Sequence, residues 1–206
     1  MYNVILDFDG VLANTWDAVR YGIVESGRAN TLEAAADNMR KYAAKRPNHA
    51  RNHTLNETEL AAEYAWTSNF GKYVHQHGFQ MFDGFVRELE NLHTARIAIV
   101  SSGSENYVLP ALSRTKLMPT HTLCFEAHHS KEEKIERICD DWSVAISDVY
   151  YVTDTLADIY ELRDCISAKK LLGVSWGYCS REQIRTELPG TQILETPADL
   201  RRILEK

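Results

Sequence analysis

The chain has 206 residues, of which 44% are hydrophobic, and its formal net charge is −6. This length suits one core with or without an inserted subdomain, and the acidic balance argues against nucleic acid or an anionic membrane as a partner. No apolar run approaches membrane-spanning length and the N-terminus enters a strand at once, so neither a membrane span nor a signal peptide is expected.

The first predicted strand starts at Val4 and ends on two carboxylates, Asp7 and Asp9, with Phe8 between them. Alternation along a strand puts both carboxylates on one side and Phe8 on the other, and Gly10 permits a sharp turn. The carboxyl end of a central parallel strand is where α/β sheets bind ligands. Two like charges so close together need a cation or a shared proton, although a solvated turn is the alternative.

The next part of the chain, 15–82, has a helical pattern without a convincing strand. Three helices are predicted here, and their start and stop signals are Trp16 with Gly27, Thr31 with Pro47, and Asn56 with Gly78. The stretch is too long for a simple crossover. We therefore predict that 15–82 is an α-helical cap, inserted into a core that consists of 1–14 and 83–206.

From Asp83 onward strands and helices alternate, which predicts a parallel α/β sheet. Asp83-Gly84 is expected to be a turn before a short helix. The predicted strands are Arg96–Val100, Leu123–Glu126, Val149–Val152, Leu171–Trp176 and Gln192–Leu194. The later helices are expected after Ser101, from Ser130, after Asp154, over Arg181–Glu187 and from Pro197.

Polar residues follow the predicted strands where a ligand site would need them. Ser101 precedes a helix N-terminus, a combination that suits an anion. Lys131 lies in the first turn of a helix, where the helix dipole disfavours a cation, so its position needs another reason. Asp154 and Asp158 are one helical turn apart and can approach one cation. A helix cap, a solvated lysine and dipole compensation are the simple alternatives, but the four residues together predict a site.

This order of residues resembles a known family. The strand with Asp-Phe-Asp-Gly-Val-Leu-x-x-Thr is similar to the first motif of the haloacid dehalogenase (HAD) superfamily. The matching residues are Asp7 and Asp9 in the first motif, Ser101 in the second, Lys131 in the third, and Asp154 with Asp158 in the fourth. The resemblance spans nearly the whole chain. It implies an α/β fold with a Rossmann-like parallel sheet and an α-helical cap inserted between the first two motifs.

Two positions depart from the family pattern. Thr153 stands where a glycine commonly precedes the fourth-motif aspartate, and no proline follows Lys131. Lys134, one helical turn later, is therefore a second candidate for the third-motif lysine. These departures concern the phosphate side of the expected site and leave the reaction class unchanged.

The resemblance implies a Mg²⁺-dependent phosphatase that hydrolyses a small phosphomonoester through an aspartyl-phosphate. Asp7 would be the nucleophile and Asp9 the general acid and base, roles that carboxylates can perform. The residues implied to bind phosphate are Ser101, Ser102 and Lys131, and those implied to bind Mg²⁺ are Asp7, Asp9, Asp154 and Asp158. The expected partner is a small phosphorylated metabolite, whereas substrate identity and oligomeric state are not indicated.

Two other functions are compatible with these motifs. A phosphosugar mutase of the same superfamily keeps all four motifs, whereas haloacid dehalogenases and phosphonatases replace the residue equivalent to Asp9. A non-catalytic binding protein on the same fold is the other alternative. The presence of Asp7, Asp9, Lys131 and Asp154 argues against it.

A basic stretch in the predicted cap is a candidate substrate contact. The segment 46–53 contains Arg46, Arg51 and two histidines but no acid. We expect one of the arginines to grip a distal anionic or polyhydroxyl part of the substrate through its planar fork of donors. A solvated loop is the alternative.

The remaining reactive residue types are expected to be structural or solvated. The cysteines form no C-x-x-C pair, which predicts free thiols and a cytoplasmic location; they are Cys124, Cys139, Cys165 and Cys179. The histidines at 75, 77, 128 and 129 lack partners at a familiar zinc spacing. The segment 176–178, Trp-Gly-Tyr, is interpreted as packing and a turn.

Overall fold

The computed structural model describes residues 1–44 and 55–205. Its strands are β1 (Tyr2–Leu6), β2 (Ala13–Asn14), β3 (Gln80–Met81), β4 (Ala95–Val100), β5 (His121–Leu123), β6 (Tyr150–Thr153), β7 (Leu171–Val174) and β8 (Ile193–Leu194). Its α-helices are α1 (Trp16–Glu25), α2 (Leu32–Ala43), α3 (Glu57–His77), α4 (Asp83–Glu90), α5 (Glu105–Leu112), α6 (Lys131–Trp142), α7 (Leu156–Leu162), α8 (Arg181–Glu187) and α9 (Asp199–Leu204).

Strand β1 lies inside a parallel sheet of order β5-β4-β1-β6-β7-β8. It pairs with β4 on one side and with β6 on the other. Val4 and Leu6 belong to one hydrophobic cluster and Ile5 to another, so both faces of the strand are buried. This explains why residues 4–6 of β1 are all apolar. The predicted α/β fold with a Rossmann-like parallel sheet is confirmed.

Helices α1, α2 and α3 come between β1 and β4 in the chain and lie outside this sheet. α1 packs against α3, where Gly22 lies next to Phe70 and Val74. α3 also packs against α5, and the absence of a side chain at Gly71 lets it approach Ser104. These three helices form the predicted insertion; the division of the chain at 15–82 stays a prediction.

A short antiparallel ribbon of β2 and β3 connects this insertion to the sheet. Ala13 pairs with Met81, and Asn14 pairs with Gln80. Immediately beside the β2–β3 ribbon, the Phe82 N–H donates to the Leu12 carbonyl at 2.8 Å. The segments that leave and re-enter the sheet region are therefore hydrogen-bonded to one another.

The predicted helix caps are confirmed. Thr31 accepts a hydrogen bond from the Ala34 N–H at 3.1 Å, and Asn56 and Glu59 form a reciprocal capping box with two bonds of 3.0 Å. Ser130 caps α6. These side chains satisfy N–H groups that have no partner within the helix. Within the described residues, no helix combines the length and apolarity needed to cross a membrane.

Three local expectations were wrong. α4 begins at Asp83, because Phe82 serves as its N-cap residue and the expected Asp83-Gly84 turn is its first turn. β5 lies upstream of the predicted position, so that Phe125 follows the strand. The β2–β3 ribbon was not predicted, since strands of two residues carry no periodic signal.

The cysteines are free thiols, as expected. Cys124, Cys139 and Cys179 are buried, whereas Cys165 is partly exposed. Burial raises the pKa of the Cys139 and Cys179 thiols to about 11 in each case. Their role is therefore packing, since an inert thiol is the form that burial favours.

Candidate active site

Polar residues at the ends of three adjacent strands meet at one edge of the sheet. Asp7 follows β1, Ser101 follows β4 and Asp154 follows β6. The Asp7 N–H donates to the Val152 carbonyl at 2.9 Å, which fixes the backbone at this edge. The side chains of Asp7, Ser101 and Asp154 are all buried. This is the edge at which parallel α/β sheets bind ligands.

Lys131 forms a buried ion pair with two carboxylates. Its Nζ lies 2.6 Å from Asp7 Oδ2 and 2.8 Å from Asp158 Oδ2. The first turn of α6 is meanwhile stabilised by Glu161, whose Oε1 accepts the Lys131 N–H at 2.7 Å. A carboxylate thus occupies the position that the helix dipole favours. The ion pairs with Asp7 and Asp158 explain why a lysine lies in the first turn of α6, where the helix dipole disfavours a cation.

Lys131 and Asp158 are both held in their charged forms. Burial lowers the pKa of Lys131, but the carboxylates of Asp158 and Asp7 outweigh it and raise that pKa well above its ordinary value. Burial acts to raise the pKa of Asp158, and the adjacent Lys131 charge reverses this, so that the pKa is lowered. For Asp7 burial dominates and raises the pKa, with Lys131 opposing it. Asp158 is therefore the constant anionic partner of the lysine.

Asp158 is held by three side chains. Its Oδ2 accepts hydrogen bonds from Lys131, from Thr153 Oγ1 at 2.7 Å and from Tyr151 OH at 3.1 Å. Thr153 is the residue that departs from the family pattern, and it supplies one of these donors. The structure thus places Asp158 where it holds Lys131.

Lys134 occupies a different position from Lys131. Its Nζ donates to the Ser101 carbonyl at 2.6 Å and contacts the Cys124 carbonyl at 3.4 Å. Burial lowers the pKa of Lys134 to about 8. Of the two candidate lysines, Lys131 is the one that contacts Asp7. Lys134 instead stabilises the loop after β4 through its hydrogen bond to the Ser101 carbonyl.

Asp9 faces the same cavity as Asp7, while Phe8 is fully buried in the hydrophobic core. Asp9 Oδ1 accepts a hydrogen bond from Thr15 Oγ1 at 2.6 Å. Its Oδ2 accepts one from Tyr107 OH at 2.8 Å and a long one of 3.4 Å from Ser101 Oγ. Burial raises the pKa of Asp9, and these donors oppose the rise. Both carboxylate oxygens are therefore oriented by neighbouring hydroxyl groups.

Tyr178 is a site residue that the sequence did not reveal. Its OH lies 2.6 Å from Thr15 Oγ1, and its backbone N–H donates to Asp154 Oδ2 at 2.8 Å. The interpretation of 176–178 as packing and a turn holds for Trp176, which packs against Phe85. For Tyr178 it was incomplete. The available signal was its position just beyond the carboxyl end of β7, next to Asp154 on β6.

Tyr107, also missed in the sequence, provides the first testable prediction. Its ring packs edge-on against Phe8, with centroids 6.0 Å apart, and is 1% exposed, so Tyr107→Phe keeps the packing and removes only the hydroxyl near Asp9. With alkyl phosphates, for which the resemblance implies Asp9 as the acid, we expect kcat to fall about 10-fold through misorientation. For p-nitrophenyl phosphate, whose leaving group needs no proton, we expect a smaller loss.

The matched control for this prediction is Tyr2→Phe, because Tyr2 packs edge-on against Tyr150 at the opposite end of β1. Steady-state kinetics with both ester types would be compared with thermal melting curves of the two variants. An equal loss of kcat on both ester types would assign Tyr107 a general structural role instead.

Asp154 is enclosed by backbone that only glycine permits. A Cβ at Gly10 or at Gly177 would collide with the Asp154 side chain, and Gly10 also has a φ of +72°, a conformation disfavoured for other residues. The two loops can therefore close around the carboxylate. Asp154 Oδ1 is buried and has no hydrogen-bond partner, and burial raises the pKa of this carboxyl to about 7.

The unpartnered Asp154 oxygen fits a divalent cation. A buried carboxylate without a donor is costly, and a hard cation is one way to satisfy it. In residues 1–44 and 55–205, no cluster of three His, Cys, Asp or Glu side chains is arranged to hold a metal. Mg²⁺ does not require one, since it is usually held by one or two carboxylates together with waters and substrate phosphate. Asp7 and Asp154 supply two such carboxylates.

A cavity of about 540 Å³ lies between this edge of the sheet and the inserted helices. Ser102 lines it, whereas Ser101 is fully buried and does not. From α2, Tyr42 reaches into the cavity and its hydroxyl interacts with Ser102. Burial of this hydroxyl raises the pKa of Tyr42 to about 12. Ser102 and Tyr42 therefore face a bound ligand more directly than Ser101 does.

Two other sets of predicted residues have different outcomes. The candidate substrate contacts Arg46 and Arg51 lie outside the described residues. The histidines have structural contacts: His77 Nε2 lies 2.9 Å from Glu25 Oε1, and His128 Nδ1 accepts the Ser130 N–H at 3.0 Å.

The site consists of carboxylates at the ends of adjacent parallel strands and an ion-paired lysine, all next to a cavity beneath inserted helices. This arrangement is the one expected for a hydrolase of the α/β class. The family model for haloacid dehalogenase-like hydrolases matches residues 4–170. The chain therefore belongs to the haloacid dehalogenase-like hydrolase family, and the predicted membership and enzyme class are confirmed. No curated protein matches the sequence significantly.

Solved structures of similar fold cover nearly the whole chain. A predicted phosphatase from Clostridium acetobutylicum has a TM-score of 0.73 and 17% identity, covering 100% of this chain and 99% of its own. A predicted phosphoglycolate phosphatase from Haemophilus somnus has a TM-score of 0.70 and 17% identity, with coverages of 99% and 98%. A hydrolase from Pseudomonas syringae has a TM-score of 0.66 and 15% identity, with coverages of 99% and 97%. At these identities the likeness shows the fold.

Proposed function

We propose that the chain is a Mg²⁺-dependent phosphatase that hydrolyses a small phosphomonoester through an aspartyl-phosphate on Asp7. The observation that carries this proposal is the buried ion pair between Lys131 and Asp7, which Asp158 secures from the other side. It places a permanent cation beside the nucleophile in the wall of the cavity. A reaction that moves a phosphoryl group needs such a charge to stabilise its transition state.

In the first half-reaction, Asp7 attacks phosphorus and the bond to the leaving oxygen breaks. Lys131 neutralises charge on the transferred group, and the Ser102 hydroxyl and Tyr42 contact it from the cavity wall. Asp9 donates a proton to the leaving oxygen, which makes the alcohol a better leaving group. The hydrogen bonds from Thr15 and Tyr107 orient Asp9 for this transfer.

In the second half-reaction, water hydrolyses the aspartyl-phosphate. Asp9, now ionised, accepts a proton from the attacking water, and Asp7 is released as a carboxylate. One carboxyl group therefore serves first as acid and then as base. This requires Asp9 to stay close to both the leaving oxygen and the water, and both its oxygens are held at the cavity by named donors.

Asp7, Asp154 and the main-chain carbonyl of Asp9 would hold Mg²⁺. When bound, the ion would supply positive charge to the phosphate oxygens. The unpartnered Oδ1 of Asp154 supports this assignment. Asp158 was expected among the metal ligands, and we instead assign it to positioning Lys131, because its Oδ2 already accepts three hydrogen bonds.

A phosphomonoester panel with and without Mg²⁺ tests this function. We expect phosphate release that needs Mg²⁺ and that stops when excess chelator is added. Full activity in excess chelator would contradict the metal requirement. Failure to release phosphate from any of the esters would contradict the proposed phosphatase function. Conversion of a hexose 1-phosphate to its isomer without free phosphate would identify a mutase.

Two further expectations belong with this proposal. We place the enzyme in the cytoplasm, which its free cysteines support. We also propose that 15–82 acts as a cap that shields the reaction from bulk water, and its helices line the cavity above Asp7, which supports this role.

A further inference from the structure

Apolar side chains form much of the cavity side that the inserted helices provide, and Asn38 and Thr67 are polar residues among them. Val19 and Ile23 come from α1, Met39 from α2, and Trp66 and Phe70 from α3; Phe125, from the loop after β5, joins them. These six side chains lie opposite the charged groups at the edge of the sheet. A ligand whose phosphate is held at Asp7 and Lys131 would therefore direct its other end toward hydrocarbon.

The aromatic part of this wall is a stacked column. Trp66 stacks on Phe70 with ring centroids 5.0 Å apart and an interplanar angle of 13°. The guanidinium group of Arg28 lies over the Trp66 ring, with its carbon 3.7 Å from the ring centroid. These two contacts restrict the tryptophan, so its ring is already ordered before a ligand binds.

Among the described residues, the charged side chains that line this wall are Arg28, Glu63 and Lys41. Arg28 forms an ion pair of 3.1 Å with Glu63, which neutralises the nearest positive charge. Lys41 is exposed and borders both this cavity and a neighbouring groove. A carboxylate at the far end of a substrate would thus be desolvated against apolar side chains and would compete with Glu63 for Arg28.

We propose that the leaving group of the natural substrate is an apolar alcohol, aromatic or branched, rather than a small hydroxy acid or a polyol. This proposal replaces the expectation that Arg46 or Arg51 binds an anionic or polyhydroxyl group of the substrate. This inference rests on the proposed phosphatase function and adds the substrate class to it. It also implies a specificity different from the activity named for the structurally similar protein that is described as a predicted phosphoglycolate phosphatase. The physical reason is that each apolar group placed in such a pocket favours binding about 10-fold or more.

Binding of two phosphonates tests the proposal without requiring turnover. Benzylphosphonate and phosphonoacetate carry the same methylene phosphonate, joined to a phenyl ring in one and to a carboxylate in the other. Isothermal titration calorimetry in Mg²⁺ buffer should give a Kd at least about 10-fold lower for benzylphosphonate. An equal or lower Kd for phosphonoacetate, or binding of neither compound, would overturn the proposal.

A pair of methionine variants locates the preference in the cavity. Met39→Gln keeps the approximate side-chain volume but adds a polar amide to the apolar part of the wall. We expect the Kd for phosphonoacetate divided by the Kd for benzylphosphonate to fall about 10-fold. Met118→Gln makes the same change on a side chain that is 87% exposed and outside the cavity, and it should leave the ratio unchanged. Thermal melting would check that Met39→Gln is folded.

An unchanged ratio in folded Met39→Gln would also overturn the proposal. Its failure can be told apart from failure of the phosphatase function. Rapid release of phosphate from polar esters together with a preference for phosphonoacetate would overturn the substrate class alone. A preference for benzylphosphonate without any phosphate release from benzyl phosphate would overturn the catalytic function and leave the apolar site standing.

Discussion

Replacing Asp7 with asparagine should abolish phosphomonoester hydrolysis, with kcat falling about 10⁴-fold or more. An amide oxygen is too weak a nucleophile to form the acyl-phosphate bond, while the side chain keeps nearly the same shape. The buried Lys131 retains Asp158 as its anionic partner, so the variant should still fold. Phosphate release under saturating substrate and Mg²⁺ measures the effect. Near-native turnover would show that another residue is the nucleophile.

Asp9→Asn is the matched control, since it changes the neighbouring carboxylate in the same way. With p-nitrophenyl phosphate this variant should still release one equivalent of p-nitrophenol in a burst, because that leaving group needs no acid. Hydrolysis of the phosphorylated enzyme should then be slow, since no base activates the water. A burst in Asp9→Asn and none in Asp7→Asn would separate the two roles.

Replacing Lys131 with methionine should have the second largest effect, on stability as well as activity. The substitution leaves Asp7 and Asp158 buried without their cation, and breaking a buried pair of this kind costs about 3–5 kcal/mol. Loss of one preorganised charge at the transferred group should lower kcat about 10²- to 10³-fold. Urea unfolding and steady-state kinetics on the same preparation measure the two effects.

Lys134→Met is the control for this second prediction, because Lys134 lies one turn further along the same helix and is equally buried. It should reduce stability by removing the donor to the Ser101 carbonyl, but its loss of kcat should be smaller than that of Lys131→Met. A larger loss of kcat in Lys134→Met would reverse the assignment of the two lysines.

The main features of the fold and of the site follow from local rules. The run of apolar residues before Asp7 predicted a strand buried on both faces, and the ends of parallel strands share one edge of a sheet. Polar residues that follow such strands must therefore come together, which brought Asp7, Ser101 and Asp154 into one prediction. The caps of the inserted helices were equally accessible, because a capping box is a pattern of neighbouring residues.

The contacts that orient the carboxylates could not be predicted in this way. Tyr107 and Tyr178 are distant in sequence from Asp9 and Thr15, and only the packing of α5 and the loop after β7 brings their hydroxyls close. Thr153 looked like a departure from a pattern, and its hydrogen bond to Asp158 becomes visible only in three dimensions. Buried polar networks of this kind depend on tertiary geometry, which sequence periodicity does not encode.

The β2–β3 ribbon connects the inserted helices to the sheet directly beside Asp9. Asn14 ends one strand of the ribbon, and the next residue, Thr15, is the hydrogen-bond donor to Asp9. Because Thr15 is the N-cap residue of α1, a rotation of α1 about the ribbon would displace Thr15 and change the hydrogen bond that Thr15 donates to Asp9. We therefore expect opening of the insertion to weaken one of the hydrogen bonds that orient Asp9, while Tyr107 keeps the other.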